Sequence, residues 1–538
     1  MLRFLLLATC AWVAAGPLEA QPSPKPLASA RQADRELRLD LQAGDYVRGR
    51  AEAAPDASDL VLFGPAGETI RTFRGSDRGL GFSFVAERPG LHRLRWKTSA
   101  AKGAITATSI VHRADQPRAD GRVGPTPLPS ARLRALQADL QRGGGTEAFW
   151  REIVEGGGYL AEPAESGQVR VTFLWRGTPD TRSVHLNWPV LAPRMDDNAF
   201  EHLAGSDVWY RAVLLPAGTR LTYQLAPDAP IGADAPRPER RDALVAVSQT
   251  DPLNRKLWPA DPALGRFDRY SVVELEGAPP LSFTEPRPGA RRGGAQSFDL
   301  FSSALAQQYS AVLYRPPGPP STGPLPLLIV FDADRYLERI EATAILDNMI
   351  AQGAIPPLAA VFVANPSAET RASHLACNPK FSDFLADELI PAVRARLALT
   401  REAGQVIAAG ASYGGLAAAC VALHRPDAVG AVLSQSGSFW WAPGGGEGPA
   451  GSDSEPNWVA RAFAARERAP LHFYLNSGVL EAGSGIRDST RALRDVLRAK
   501  GYAVVHEEFA GGHDDLAWRQ TFPRGLIALI GSGTGVSP

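Results

Sequence analysis

The 538-residue sequence predicts an α/β domain preceded by two β-sandwich domains. Three observations lead to this fold class. From residue 298 onward, apolar strand-like runs alternate with helical stretches, a pattern typical of a mostly parallel sheet with helices on both faces. Before residue 298, two blocks of short strand-like runs are separated by turn clusters and linkers, as in small sandwiches. The length agrees, because domains contain about 150 residues each and the chain has room for three or four.

The composition is that of a globular protein without a dominant charge. Lys+Arg and Asp+Glu both number 57, so no global charge favours nucleic acid or an anionic membrane as a partner. The sequence contains no H-E-x-x-H motif, no phosphate-binding P-loop and no Cys/His cluster with metal-ligand spacing. We therefore expect an activity that uses no metal and no cofactor.

Residues 1–20 are typical of a secretory signal. Arg3 provides the basic start, residues 4–15 are mostly apolar, and Ala20 offers a small residue before a cleavage site. This apolar stretch is too short to span a hydrocarbon core of about 30 Å. No later segment is long and apolar enough to do so either, and we expect a periplasmic or secreted protein without a membrane span.

The three cysteines are too few for a disulfide scaffold or a four-cysteine metal site. Cys10 lies in the predicted signal, so Cys377 and Cys420 would remain in the mature chain and could pair in an oxidising compartment. Cys420 lies in the apolar run 416–423. This surrounding favours a buried free thiol over a disulfide.

The first predicted sandwich covers residues 30–113. Residues 37–41 alternate between apolar and charged side chains, and the strand-like runs 60–63 and 91–96 follow after turn clusters. A structural appendage is favoured here over a ligand-binding module. Residues 113–130 are rich in Pro, Asp, Arg and Gly and are predicted to be a linker.

The second predicted sandwich covers residues 128–276. It opens with a helical stretch over 131–141, and strand-like runs follow at 169–175, 208–215 and 221–225. A second Pro-, Gly- and Arg-rich linker, up to residue 294, separates it from the α/β domain, which is predicted over residues 295–530.

A candidate nucleophile lies in the α/β domain. Gly410-Ala411-Ser412-Tyr413-Gly414 fits the G-x-S-x-G pattern, in which serine occupies a sharp strand-to-helix turn that large flanking side chains would block. A buried strand is predicted directly before it and a helix directly after it. This context favours a nucleophilic Ser412 in an α/β-hydrolase fold over a plain glycine turn.

A serine nucleophile needs a base, and the base needs an acid that orients it. In this fold the chain order is Ser, acid, His. His513 follows Gly511-Gly512 in the loop after the last predicted strand, where the fold presents its base. Glu481 lies in the loop after the strand 471–475 and is the favoured acid, with Asp488 as the alternative. Asp488 begins a helix, where capping alone explains an acidic residue.

The tetrahedral intermediate of ester hydrolysis needs backbone N–H donors. Tyr413, directly after the nucleophile, supplies one of them. The second is expected in the loop after an earlier strand, residues 332–334, where Ala333 is our candidate.

With these residues placed, the chain resembles the enterochelin (enterobactin) esterase family, relatives of esterase D. The resemblance covers about residues 149–529 and leaves only the first sandwich outside. The sequence departs from the family pattern at two positions: the family tends to carry Glu where His374 stands and Gly where Ala333 stands. The matching segments are Gly414-Gly415-Leu416, the run 433–441, the acid loop 478–481, the histidine loop 511–514, Trp518-Arg519, and in the second sandwich 173–176, 204–209 and 251–254.

The resemblance implies hydrolysis of the serine ester bonds in a catecholate siderophore, in its ferric or iron-free form. Ferric catecholates are anionic and carry flat rings, so Arg371 and Arg519 are expected to attract them, while Trp440 and Trp441 stack on the rings. Core packing for the tryptophans and surface ion pairs for the arginines are the alternative roles.

Two other functions stay open from the sequence. A secreted esterase of the esterase D type would act on feruloyl or acetyl esters of polysaccharide, with the sandwiches helping to bind carbohydrate. A non-enzymatic secreted binding protein would keep the triad as a relic. Typical members of the resembling family act in the cytoplasm, whereas this chain carries an export signal.

Overall fold

The computed structural model describes most of the chain beyond the predicted signal, which lies outside the described residues. These are residues 31–33, 35–51, 59–73, 80–97, 104–112, 122–123, 127–190, 198–230, 237–285, 287, 289, 291–318, 323–444 and 457–531. Three bodies follow one another along the chain: an N-terminal sandwich (31–112), a middle sandwich (122–285) and an α/β domain (291–531).

The N-terminal sandwich consists of two four-stranded antiparallel sheets, ordered β1-β8-β3-β6 and β2-β7-β4-β5. Alternate residues of β2, such as Leu37, Leu39 and Leu41, are buried between the sheets, which explains the alternation in the sequence. The strands are β1 (Arg31–Ala33), β2 (Glu36–Leu41), β3 (Tyr46–Ala51), β4 (Leu60–Phe63), β5 (Thr69–Phe73), β6 (Leu80–Val85), β7 (Gly90–Trp96) and β8 (Ile105–Val111).

The middle sandwich pairs a five-stranded sheet, β10-β11-β14-β13-β9, with a four-stranded sheet, β12-β15-β17-β16. Its β9 lies within the segment that we expected to be only a linker. Its elements are β9 (Arg122–Val123), α1 (Ala131–Gln141), α2 (Glu147–Glu155), β10 (Tyr159–Pro163), β11 (Gln168–Arg176), β12 (Val184–Asn187), β13 (Glu201–His202), β14 (Val208–Pro216), β15 (Arg220–Pro227), α3 (Arg237–Val247), β16 (Leu257–Trp258) and β17 (Tyr270–Glu274).

The α/β domain is built on one eight-stranded sheet, ordered β18-β19-β21-β20-β22-β23-β24-β25. The strands from β21 to β25 in this order are parallel to one another. At the other edge, β19 pairs antiparallel with β21, and β18 pairs antiparallel with β19. The strands are β18 (Gly294–Ser302), β19 (Gln307–Arg315), β20 (Leu327–Phe331), β21 (Ala359–Val363), β22 (Val406–Ala411), β23 (Ala431–Gln435), β24 (His472–Gly478) and β25 (Ala503–Phe509).

Helices cover both faces of this sheet, and each face has its own apolar core. Helices α4 and α11 pack on one face and α5 to α10 pack on the other. They are α4 (Ala342–Ala351), α5 (Ala368–Leu375), α6 (Pro379–Asp383), α7 (Ile390–Arg394), α8 (Tyr413–His424), α9 (Trp458–Ala465), α10 (Ile486–Ala499) and α11 (Asp515–Ile530). The predicted fold class, an α/β-hydrolase domain preceded by sheet-rich domains, is confirmed.

The central strands explain why the sequence pattern changes after residue 298. Every residue of β20, β21, β22 and β23 is buried, because helices cover both faces. Because β20, β22, β24 and β25 are parallel, the loops that follow them all lie at the carboxyl edge of the sheet, where α/β sheets place their ligands.

Cys377 and Cys420 form a disulfide, so the expectation of a free thiol is wrong. Their Cα atoms lie 5.2 Å apart across a sequence separation of 43, and the bond joins the segment after α5 to the buried helix α8. Both cysteines are buried among apolar side chains. Burial suits a thiol and a disulfide equally, so the apolar run around Cys420 carries no information about its redox state.

Within the described part of the chain, no helix is long and apolar enough to cross a membrane. The same residues contain no group of three or more His, Cys, Asp or Glu side chains that could hold a metal ion.

Candidate active site

Ser412 lies on the sharp turn between β22 and α8. Its φ of 60° and ψ of −122° are unusual for a residue with a side chain and are the strain expected of a nucleophile elbow. Glycine is required by space at position 410, because a Cβ there would lie 2.6 Å from the backbone carbon of Gly414. The Ser412 N–H donates to the Gln435 carbonyl at 2.9 Å, which fixes the turn to the neighbouring strand.

The two predicted oxyanion donors stand at the starts of two helical turns on adjacent parallel strands. Tyr413 is the first residue of α8, so its N–H points out of the start of the helix. Ala333 follows Asp332, whose φ of 57° turns the chain sharply at the end of β20. The turns are in contact, since a Cβ on Gly414 would meet Asp332 Oδ2 at 3.4 Å. The geometry suits two N–H groups that converge on one oxyanion.

His513 is held by a buried carboxylate. Its Nδ1 lies 2.6 Å from Oε1 of Glu481, which is only 2% exposed. The other carboxylate oxygen accepts from the Gly478 N–H at 2.5 Å, so both Glu481 oxygens are fixed. With Nδ1–H donating to Glu481, the second ring nitrogen, Nε2, is left free to accept a proton.

The alternative acid, Asp488, does not reach the imidazole. Its side chain is 64% exposed on α10 and pairs with Arg487 at 3.2 Å. The structure therefore brings Glu481, and not Asp488, to His513.

Ser412 and His513 line the same cavity. The Ser412 hydroxyl lies 3.5 Å from the hydroxyl of Ser438. The nucleophile and the base thus face one space, and catalytic hydrogen bonds often tighten only when substrate binds.

The histidine loop is docked on the middle sandwich. The His513 N–H donates to the Pro189 carbonyl at 3.0 Å, and the Thr222 N–H donates to Asp514 Oδ2 at 2.6 Å. A Cβ on Gly512 would lie 2.6 Å from the Pro189 oxygen, so glycine permits this approach. The position of the base thus depends on a second domain, a dependence that no motif in the sequence indicates.

Burial of Asp514 raises the pKa of its carboxyl to about 6, although the N–H groups of Thr222 and Leu516 oppose the rise. A carboxylate beside the base is therefore partly protonated in mildly acidic solution. Its ionised form is the better acceptor for the two N–H groups.

A cavity of about 540 Å³ opens above the triad, between the α/β domain and the middle sandwich. Most of its wall comes from the middle sandwich. The wall consists of His185, Leu186, Asn187, Trp188, Pro189, Val190, Asn198, Thr222, Arg241, Leu244, Val245, Trp258, Tyr270, Arg335, Arg371, Ser412, His513, Asp514, Asp515 and Trp518. Sequence reasoning missed the aromatic residues Trp188, Trp258 and Tyr270; the Trp-Pro pair at the end of β12, in a block that the resemblance covers, was the available signal.

Arg371 lines this cavity, as expected, but its charge is neutralised. Its guanidinium makes two bonds of 2.7 Å to the oxygens of buried Asp332. Burial of Asp332 raises the pKa of that carboxyl, but the charge and hydrogen bonds of Arg371, together with Arg335 and Asn365, outweigh burial and lower the pKa below its usual value. Arg371 thus fixes the turn that carries Ala333 and also faces the substrate space.

Three residues predicted as substrate contacts, Arg519, Trp440 and Trp441, do not belong to the cavity wall that the described residues form. Arg519 is 7% exposed and donates to the carbonyls of Ile340 and Thr284 at 2.8 and 2.9 Å. Its guanidinium satisfies backbone acceptors between elements and is not available to an anion.

The two tryptophans pack against other aromatic rings. The ring of Trp440 lies 6.1 Å from that of Tyr413, and Trp441 meets Trp458 edge to face at 5.6 Å. The alternative role, packing beneath and beside the elbow, is the one that the structure supports.

Two family models match this chain. The model described as "Enterochelin esterase, N-terminal" matches residues 170–283, and the model described as "Putative esterase" matches residues 302–529. The chain belongs to the enterochelin esterase family. The N-terminal sandwich lies outside both matched ranges.

Relatives agree with this membership. The chain is 29% identical to the iron(III) enterobactin esterase of Dickeya dadantii, over 77% of this chain and 98% of that protein. It is 27% identical to the iron(III) salmochelin esterase of Escherichia coli O6:H1, over 71% of this chain and 93% of that protein. Among solved structures it is similar to the ferric enterobactin esterase of Salmonella typhimurium (27% identity, TM-score 0.58, 71% of this chain and 98% of that chain). It is also similar to the enterobactin esterase of Shigella flexneri in the presence of enterobactin (25% identity, TM-score 0.56, 72% of this chain and 98% of that chain).

Proposed function

We propose that the protein is a serine esterase that hydrolyses the trilactone ester bonds of an enterobactin-like catecholate siderophore and so promotes iron release. The observation that carries this proposal is the placement of Ser412 and His513 at the floor of a cavity, with Glu481 buried behind His513 and with arginines and aromatic rings in the wall. The relatives bear enterobactin and salmochelin esterase names, which agree with this substrate class.

Each ester bond is cleaved in two steps. His513 Nε2 takes the hydroxyl proton of Ser412 while the oxygen attacks the ester carbonyl, and the N–H groups of Tyr413 and Ala333 stabilise the oxyanion. The imidazolium then gives its proton to the leaving alkoxide, and an acyl-serine remains. Water attacks this acyl-serine by the same route. Glu481, beside Nδ1, stabilises the imidazolium in both steps.

The cavity wall matches the chemistry of the substrate. Ferric catecholates are anionic, and the guanidinium groups of Arg241, Arg335 and Arg371 lie in the wall. The rings of Trp188 and Trp258 offer flat surfaces on which a catechol ring can stack. Asp332 and Asp515 pair with two of these arginines, so the charge that would favour the anionic ferric form over the iron-free trilactone is that of Arg241.

Product analysis tests the substrate class. Purified mature protein is incubated with enterobactin, ferric enterobactin, a feruloyl ester and a simple acetyl ester, and products are followed by mass. We expect the trilactone to gain one water per cleaved bond, with faster turnover than the acetyl ester, because distant aromatic contacts contribute binding energy at the reacting centre. Equal rates would favour a general esterase of polysaccharide esters, and binding without turnover would favour a binding protein.

We further propose that the enzyme acts outside the cytoplasm, in the periplasm or as a secreted protein. The signal-like residues 1–20 support this location, and the Cys377–Cys420 disulfide is the kind of bond that persists in oxidising compartments. Deletion of residues 2–20 should leave active enzyme in the cytoplasm and remove trilactone hydrolysis from the periplasmic fraction. Unchanged periplasmic activity would contradict the proposal.

A further inference from the structure

The N-terminal sandwich contacts the middle sandwich mainly through one helix, α3. Arg48 pairs with Asp242 at 3.2 Å, and the Ser83 hydroxyl donates to the Asp242 carbonyl at 3.0 Å. Tyr46 packs on Ala243 and Ala246 in a small apolar cluster. These contacts cover one side of α3 with a domain that the family models do not include.

Arg71 of the N-terminal sandwich holds the carboxyl end of the same helix. Its Nη2 donates to the Val245 carbonyl at 3.0 Å, one of the last carbonyls of α3, which otherwise accepts only a long bond of 3.4 Å from the Ser248 N–H among the described residues. A cation at this end also favours the helix dipole. The guanidinium lies over the rings of Phe73 and Phe267, at 5.1 and 5.7 Å, so it is fixed from both domains.

The opposite side of α3 forms cavity wall. Arg241, Leu244 and Val245 line the cavity, and their spacing of three and four residues places them on one helix face. Asp242, Ala243 and Ala246 lie on the other face, toward the N-terminal sandwich.

Arg241 differs from the other two arginines in the wall. Arg371 is neutralised by Asp332 at 2.7 Å, and Arg335 pairs with Asp515 at 3.2 Å. Arg241 is exposed to the cavity, and among the described residues no carboxylate pairs with it. It is therefore the cavity cation whose charge is left for an anionic ligand.

We propose that the N-terminal sandwich sets the affinity for the anionic substrate by fixing α3, so that Arg241 faces the substrate. Arg71 is the positioning residue and Arg241 is the residue that touches the ligand. This inference rests on the proposed function. It gives the domain outside the matched ranges a role in recognition, without a ligand site of its own.

The test compares Arg71→Met with Arg38→Met in the full mature chain. Arg38 is a matched control, because it belongs to the same sandwich, is 68% exposed and pairs only locally with Glu36. With ferric enterobactin as substrate, Arg71→Met should raise KM about fivefold, a modest share of what losing a charged hydrogen bond costs, while kcat stays within twofold. Arg38→Met should change neither constant, and both variants should keep wild-type acetyl-ester turnover.

A double-mutant cycle separates positioning from a general structural role. Arg241→Gln alone should raise KM about tenfold, because a charged contact with the ligand is lost. If Arg71 acts through Arg241, adding Arg71→Met to this variant should change KM less than twofold. Multiplied single effects, or an unchanged KM in Arg71→Met, would overturn the inference.

Two further measurements distinguish a failure of the proposed function from a failure of the inference about the N-terminal sandwich. Turnover of ferric enterobactin by the wild type tests the proposed function alone, and the ratio of variant to wild-type KM tests the role of the sandwich. If Arg71→Met fails to fold, shown by lost acetyl-ester turnover, Asp242→Asn removes the Arg48 contact on the same face of α3. It should likewise raise KM with an unchanged kcat, and an unchanged KM would overturn the inference.

Discussion

The catalytic residues at the floor of the cavity and the residues of its wall are held in place by different interactions. The floor groups Ser412 and Glu481 follow the buried strands β22 and β24, and backbone bonds hold them there. His513 follows the edge strand β25, and its loop is docked on the middle sandwich. The wall comes largely from the middle sandwich, whose half-exposed rings and arginines surround open space. The nucleophile and the acid therefore depend on a buried core, whereas recognition and the position of the base depend on how a second domain is docked upon it.

The largest effect is expected at the floor. Ser412→Ala should lower kcat for trilactone and acetyl esters on the order of 10⁴- to 10⁶-fold, because the nucleophile is lost while the fold is kept. Steady-state kinetics with both substrates measures this. Ser484→Ala is the control, since Ser484 lies near Glu481 but bonds only its carbonyl, and it should retain activity. Near-wild-type turnover by Ser412→Ala would refute the assignment.

The second-largest loss of kcat is expected at the acid of the triad, and it distinguishes the two candidate acids. Glu481→Gln should lower kcat about 10³- to 10⁴-fold, because the neutral amide no longer stabilises the imidazolium and can orient the wrong tautomer. Asp488→Asn should leave kcat unchanged, since that carboxylate is exposed on α10. Comparison of the two kcat values with a simple acetyl ester decides the matter. A crippled Asp488→Asn would show that the acid is misassigned.

An intermediate effect is expected where floor and wall meet. Asp514→Asn replaces one acceptor oxygen by an NH2 group, so only one of the N–H groups of Thr222 and Leu516 keeps its acceptor and the histidine loop loses part of its docking. We expect kcat to fall about tenfold with little change in KM. The exposed Asp495→Asn is the control. An unchanged kcat would mean that the α/β domain alone holds the base in position.

The same carboxyl makes a prediction about pH. The pKa of Asp514 is about 6 in the folded protein, above its ordinary value, so the folded state binds the proton more tightly than the unfolded state. This group therefore favours folding at low pH, and its contribution falls as pH rises toward 6. The melting temperature of Asp514→Asn, measured relative to that of the wild type, should rise between pH 4 and 7, and a constant difference would contradict the pKa shift.

The floor could be predicted from the sequence, whereas of the wall only Arg371 could. The elbow at Ser412 and the loop at His513 have fixed motifs, because steric limits and chain order leave few alternatives. The prediction for Trp440 and Trp441 rests on the family-matching run 433–441 and on the flat rings of a catecholate, and neither fixes where these side chains lie relative to the cavity. The residues that form the wall, such as Trp188 and Arg241, come near the triad only through the docking of β12 and α3, which no local pattern encodes.

Other misses have the same cause. The Cys377–Cys420 bond and the burial of Arg519 depend on contacts between segments distant in sequence. Local composition correctly indicated a buried position for Cys420. It could not indicate which partner the fold would bring to it.

The smallest effect on kinetics is expected when a single aromatic ring of the wall is removed. Comparing it with the removal of a ring near the elbow tests which of the two regions contacts substrate. Trp188→Ala should raise KM for ferric enterobactin about five- to tenfold, because one stacking surface is removed from the cavity, while acetyl-ester turnover changes little. Trp440→Ala, a matched tryptophan outside the wall, should leave that KM within twofold, and any effect should appear as a lower melting temperature through its contact with Tyr413. If Trp440→Ala raised KM while Trp188→Ala did not, the substrate would contact the elbow side of the α/β domain. The middle sandwich would then act only by holding the histidine loop.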